Sequence, residues 1–130
     1  MFDTHILDEH SVRRVVAGSD TVGFSFRTRI AYYRGLGVSM VEPFEVRVDG
    51  GDVVPADRLR FTIGDRTWTW AELEADGESR WELTDPATVT VLRPGGLSEG
   101  EHTLEVTEVL RISYLPFPSR TTVAKTVSVG

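Results

Sequence analysis

The longest alternation in the chain runs over residues 102–114, and it constrains the fold more than any other feature of the sequence. Leu104, Val106, Leu110, Ile112 and Tyr114 occupy every second position of one face. A period of two sends successive side chains to opposite sides of an extended backbone, so this segment reads as a long strand with an apolar side to bury. Glu108 stands in the middle of the apolar row. A charge there marks a bulge, the end of the covered region or a residue that meets a partner.

Shorter runs repeat the pattern. Val22, Phe24, Phe26, Thr28 and Ile30 alternate with Gly23, Ser25, Arg27 and Arg29, and Phe44, Val46 and Val48 alternate with Glu45 and Arg47. Pro43 opens the second of these and Asp49-Gly50 closes it as a turn. Residues 11–17, 60–63, 67–70, 80–83 and 88–92 are further strand candidates, and Val123, Lys125, Val127 and Val129 make a last one. Residues 1–10 mix charge with isolated apolar side chains and read as an edge segment. Thr69 and Glu72 have capping-box spacing, which predicts a single helical turn over residues 70–75, ended before Asp76-Gly77. Leu115-Pro116-Phe117-Pro118 forces an extended corner.

Seven to nine short strands punctuated by Gly, Pro and Asp predict an all-β chain: a single antiparallel β-sandwich, Ig-like or jelly-roll-like, with at most one short helix. One domain over residues 1–130 is the simplest arrangement, because a sheet with one apolar face has to cover it with a second sheet.

Composition excludes whole classes of function. Cysteine is absent, which removes disulfides, thiol nucleophiles and thiolate metal sites. The net charge is −6 and the basic residues are scattered, the reverse of a nucleic-acid-binding surface. No apolar run approaches the ~20 residues that cross a bilayer, so no membrane role is expected. Met1-Phe2-Asp3-Thr4-His5 carries an early acid and lacks the basic and apolar regions of a secretory signal, and the expected location is the cytoplasm.

Motifs that carry chemistry elsewhere lack their context here. Gly96-Leu97-Ser98-Glu99-Gly100 has the Gly-x-Ser-x-Gly spacing of serine hydrolases but precedes a strand, not a helix, and Ser98 reads as a loop serine. His5, His10 and His102 match no metal-binding spacing, and His102 is expected to hydrogen-bond a turn. Gly35-Leu36-Gly37 precedes no helix and is no phosphate loop. Trp68, Trp70 and Trp81 suit a sandwich core better than a sugar-stacking face.

The place where strand grammar fails is residues 29–43. Two tyrosines, an arginine and a Gly-x-Gly interrupt the alternation, so the backbone bends there while large amphipathic side chains stay near its surface. Tyr32, Tyr33 and Arg34 are of the types enriched at interface hot spots; the alternative is a tyrosine packed over the sheet edge with Arg34 in solvent.

Four segments together resemble the small β subunit of bacterial C-glycoside deglycosidases. They are Arg29-Ile30-Ala31-Tyr32-Tyr33-Arg34-Gly35, Phe44-Glu45-Val46-Arg47-Val48-Asp49-Gly50, Pro94-Gly95-Gly96-Leu97 with Gly100-Glu101-His102, and Arg111-Ile112-Ser113-Tyr114-Leu115-Pro116. The resemblance implies a β-sandwich subunit that pairs with a larger α subunit, a TIM barrel similar to sugar isomerases, in a hetero-oligomer with several copies of each. It places a divalent metal, manganese, on that partner, with no cofactor, metal ligand or catalytic residue on this chain. The implied reaction is carbon–carbon cleavage between a 3-oxo sugar and an aromatic, flavonoid-like aglycone by metal-assisted β-elimination. Tyr32, Tyr33, Arg34, Gly35 and Tyr114 are then expected at the partner contact or near the substrate. Two other readings stand beside it: a stand-alone carbohydrate-binding sandwich, and a self-sufficient hydrolase using carboxylates or His102.

Overall fold

The computed structural model describes residues 6–32, 34–112 and 115–129. Among them ten strands follow one another: β1 (Arg13–Ala17), β2 (Asp20–Thr28), β3 (Leu36–Gly37), β4 (Glu45–Val48), β5 (Leu59–Ile63), β6 (Arg66–Thr69), β7 (Arg80–Trp81), β8 (Ala87–Leu92), β9 (Gly100–Leu110) and β10 (Ser119–Val129). One helix, α1 (Trp70–Ala75), lies between β6 and β7. The strands form a five-stranded sheet in the order β1-β2-β8-β5-β6, a three-stranded sheet β10-β9-β4 and a small pair β3-β7, with every pairing antiparallel. The all-β sandwich expected from the alternation is what the chain builds.

Register explains the core. Phe26 opposes Val89, which opposes Phe61, which opposes Trp68, so one row of large apolar side chains crosses four strands. On the other sheet Val46 opposes Val106, and Val48 opposes Leu104. These rows belong to a single buried cluster. Phe44 and Phe61 join the two sheets with ring centroids 6.1 Å apart, and Phe61 meets Trp81 edge-on at 5.0 Å. Edge-to-face pairs of this kind add about 0.5–1.5 kcal/mol each beyond area burial. All three tryptophans are buried, and each indole N–H is satisfied internally: Trp68 donates to Asp76, Trp70 to the Val41 carbonyl and Trp81 to the Asp85 carbonyl. They offer no face for stacking on a sugar.

The helix forms where the capping box predicts it. Thr69 Oγ1 accepts from the Glu72 N–H while the Glu72 carboxylate accepts from the Thr69 N–H. Asp76 ends the helix and accepts from the Ser79 and Glu78 N–H groups as well as from Trp68. Those donors, the Ser79 N–H first, hold its carboxyl well below the usual range.

Two expectations are corrected. Of residues 1–10, read as an edge segment, the described part packs inward: Ile6 and Leu7 are fully buried, and Lys125 donates to the Leu7 carbonyl while pairing with Glu9. Their apolar side chains are too few to show a period, so only packing reveals them. Glu108 marks no bulge, since the β9–β10 register runs unbroken past the Glu108–Thr121 pair. It is not at the edge of the covered region either, being 1 % exposed.

Candidate functional site

Residues 29–43 are stitched to both sheets. Ile30 and Ala31 are buried, and the Ala31 N–H donates to Glu108 Oε1 at 2.7 Å. Thr28 Oγ1 lies 3.3 Å from Glu108 Oε2. Desolvation outweighs these bonds and pushes the Glu108 pKa up to about 8, so the group is a neutral acid at neutral pH. The inward carboxyl predicted to be a bulge or a partner contact is instead a latch that supplies a buried loop amide with its acceptor.

Beyond the latch, Tyr32 packs against the core with its ring 5.9 Å from the Arg34 guanidinium carbon, within cation–π range. Arg34 is exposed. The tyrosine covers the core margin and the arginine lies at the surface, an arrangement that belongs equally to a partner contact and to a tyrosine packed over the sheet edge. Gly35 passes so close to β7 that a Cβ would stand 2.6 Å from Glu82 Oε1 and 2.8 Å from the Trp81 carbonyl oxygen. The backbone can take this path only without a side chain. Leu36 and Gly37 then pair with Trp81 and Arg80. Val41 bridges Leu110, and Arg111 binds Glu42 at 2.8 Å and the Ser39 carbonyl at 2.8 Å.

This path leaves two adjoining depressions. The first, about 300 Å³, is lined by Tyr32, Arg34 and Gly35 together with Met40, Arg80 and Arg111. The second, also about 300 Å³, shares Met40, Arg111 and Ile112 with it and continues over Leu115, Pro116, Phe117 and Pro118. Of the predicted residues, Tyr32, Arg34 and Gly35 are thus brought together; Tyr33 and Tyr114 lie outside the described residues. Sequence reasoning missed Met40, Leu115 and Phe117. For the last two a signal existed, since apolar residues alternating with prolines have no strand in which to bury.

At the far end of β9 the protein places Ser98, His102 and Asp49 in a row. His102 Nδ1 is 2.7 Å from Asp49 Oδ2, and Nε2 is 3.2 Å from Ser98 Oγ. The order is that of a hydrolase triad, but the protonation is wrong. Nε2 also sits 2.8 Å from the Ser98 carbonyl oxygen, which can only accept. Asp49 is held below its ordinary range, first by the His102 bond and then by the Thr103 N–H, so it too only accepts. Nδ1 and Nε2 each face an acceptor, and the hydrogen bond to Asp49 followed by that to Ser98 raises the His102 pKa. An Nε2 that donates to the Ser98 carbonyl has no lone pair with which to take a proton from serine. The row is a turn clamp, closing a reversal in which Asp49 and Gly50 take φ of 52° and 75°. His102 hydrogen-bonds a turn, as its sequence position predicted.

Among the described residues no group of three or more His, Asp or Glu side chains comes together that could hold a metal ion. No helix among them is long and apolar enough to cross a membrane.

The fold and this surface define a class, the small all-β sandwiches that turn an apolar, arginine-rimmed face outward. Within it the chain belongs to the C-glycoside deglycosidase beta subunit family, whose model matches residues 2–114. It is 30 % identical over 115 residues to the C-glycoside deglycosidase beta subunit of Eubacterium cellulosolvens, covering 88 % of this chain and 78 % of that relative. It is 39 % identical over 99 residues to the 3'-dehydrocarminate deglycosidase beta subunit of a Microbacterium species, covering 75 % and 73 %. The designation beta subunit implies, for those relatives, an alpha-subunit partner. The resemblance drawn from the four sequence segments is borne out.

Proposed function

We propose that this chain is the β subunit of a C-glycoside deglycosidase complex and acts through a larger α subunit. The match of residues 2–114 to the beta subunit family carries the reading. The complex would cleave the carbon–carbon bond between a 3-oxo sugar and its aromatic aglycone by β-elimination. A ring ketone acidifies the adjacent C–H; loss of that proton and departure of the aglycone break the bond without hydrolysis. The divalent cation that such an elimination calls for, together with the general base, belongs to a barrel-type α subunit, in an assembly with several copies of each chain in the cytoplasm.

The contribution of this chain is support: excluding water from the partner's reaction centre and helping to shape the pocket for the aglycone, both of which strengthen electrostatic stabilisation. Tyr32, Tyr33, Arg34, Gly35 and Tyr114 are the residues proposed for that contact. The latched, well-packed path of residues 30–41 supports this role, because a contact surface with a fixed backbone loses little entropy on binding.

The test is reconstitution. This chain, the α subunit and the co-expressed pair are assayed on an oxidised C-glycoside, and turnover is expected from the pair. Full activity of the α subunit alone, or turnover by this chain alone, overturns the proposal. The rival carbohydrate-binding reading predicts that free sugar binds the purified chain.

A further inference from the structure

The subunit reading puts the partner contact at Tyr32, Arg34 and Gly35 but does not say how far it extends or what chemistry meets it, and the surface answers both. Among the described residues five large apolar side chains are exposed: Val16, Met40, Leu83, Leu115 and Phe117. Three of the five, Met40, Leu115 and Phe117, line one depression. Phe117 is 66 % exposed and stands between Pro116 and Pro118. The prolines fix their own φ and bias the residue before each towards extended backbone, so the ring is presented with little conformational freedom left to lose. Clustered apolar exposure of this kind marks an interaction surface, whereas single exposed apolar residues do not.

The adjoining depression supplies the sign of the partner's charge. Among the described residues its lining carries Arg34, Arg80 and Arg111 and no acid, on a chain whose net charge is −6. Arg80 and Arg111 pair with Glu82 and Glu42, whose carboxylates stand just behind the lining, Glu82 against Gly35, and leave both guanidinium groups half-exposed for a further acceptor. A second copy of this chain docked by the same face would bring two arginine sets together, which disfavours a symmetric pair.

We propose that the α subunit docks here, seating an apolar side chain against Met40, Leu115 and Phe117 and turning carboxylates towards Arg34, Arg80 and Arg111. This rests on the subunit reading above and adds the surface and the partner's chemistry. Apolar contact at the centre with a charged rim is the anatomy of a specific interface.

The complex is tested by co-expressing this chain with a tagged α subunit and measuring how much of it co-elutes on dilution. Phe117→Asp and Met40→Asp are expected to weaken retention at least ~10-fold. Val16→Asp, at a residue 57 % exposed on β1 outside both depressions, is expected to leave it unchanged. All three sites are exposed, and a thermal transition close to wild type for each variant confirms folding. Retention of both Phe117→Asp and Met40→Asp at the wild-type level overturns this surface while leaving the subunit reading intact. Failure of the wild-type pair to co-elute overturns the subunit reading, and this surface with it. A self-dimer of the isolated chain that Phe117→Asp dissolves, with α-subunit retention intact, assigns the face to a second copy and overturns the proposal.

Discussion

The two ends of β9 make a comparison in how one fold accommodates a titratable side chain in an apolar row. His102 and Glu108 lie on the same side of the strand, six residues or about 20 Å apart, with Leu104 and Val106 between them. At the His102 end the ring lies 2.7 Å from Asp49 across the turn, a bond that favours its protonated form, and the partner is open to water. At the Glu108 end the group is buried without an opposite charge among its hydrogen-bond partners and keeps its proton. A charge at the wet end of a strand is held by an opposite charge, whereas a carboxyl in the dry middle is tolerated by neutralisation and by bonding a loop amide that would otherwise lack an acceptor.

Removing the buried group tests this contrast with the largest expected effect. Glu108→Ala leaves the Ala31 N–H unsatisfied beside a cavity and is expected to lower stability by about 3 kcal/mol in chemical denaturation. A loss below half of that would mean that water or a neighbour replaces the acceptor.

Glu108→Gln sharpens the point, since the amide oxygen still accepts from Ala31 while its NH2 donates to Thr28. The wild-type folded state holds a proton that the unfolded chain releases above the ordinary value of 4.5, so stability falls as pH rises from there to about 8 and levels off above it. Thermal melts across that window are expected to show a flatter slope for the variant. An unchanged slope would place the proton elsewhere.

The His102 end moves stability less and with a different pH window. The raised His102 pKa stabilises the fold below 6.5 and is lost as pH rises through its higher folded value; the lowered Asp49 pKa stabilises above 3.8 and is lost as pH falls through its lower one. The melting-temperature gap between wild type and His102→Ala is therefore expected to be widest between those limits, by a few degrees, and to narrow at alkaline pH. A gap that widens at alkaline pH would contradict the clamp. Smallest of all is Ser98→Ala, expected within about 0.5 kcal/mol, because the carbonyl and not the hydroxyl is the closer partner of His102.

Legibility in the sequence follows the same division between local and non-local causes. The Thr69–Glu72 cap, the Asp49-Gly50 turn and the period-two rows of β2 and β4 rest on spacing within a few residues and appear where spacing put them, whereas β9 ends at Leu110, short of the strand expected to reach residue 114, because Arg111 turns to bond Met40, Ser39 and Glu42. Glu108 was visible as an anomaly, yet its meaning depends on Ala31, which is 77 positions away in the chain. The burial of Ile6 and Leu7 depends on β10, and the juxtaposition of Met40 with Phe117 depends on the hydrogen bond from the Arg111 N–H to the Met40 carbonyl. Contacts of that span carry no local signature. The Ser98 motif was legible from its context, a strand where a hydrolase needs a helix, whereas its approach to His102 and Asp49 came from the fold alone, and the second bond of His102 Nε2 agrees with the context.

The tight passage of Gly35 beside β7 has a consequence for how such a surface can diversify. The Trp81 carbonyl is part of a paired strand and cannot step aside, so the main-chain trace here is fixed by sterics rather than by the identity of its neighbours. New recognition on this face must come from exchanging flanking side chains on a constant rail, not from rerouting the loop.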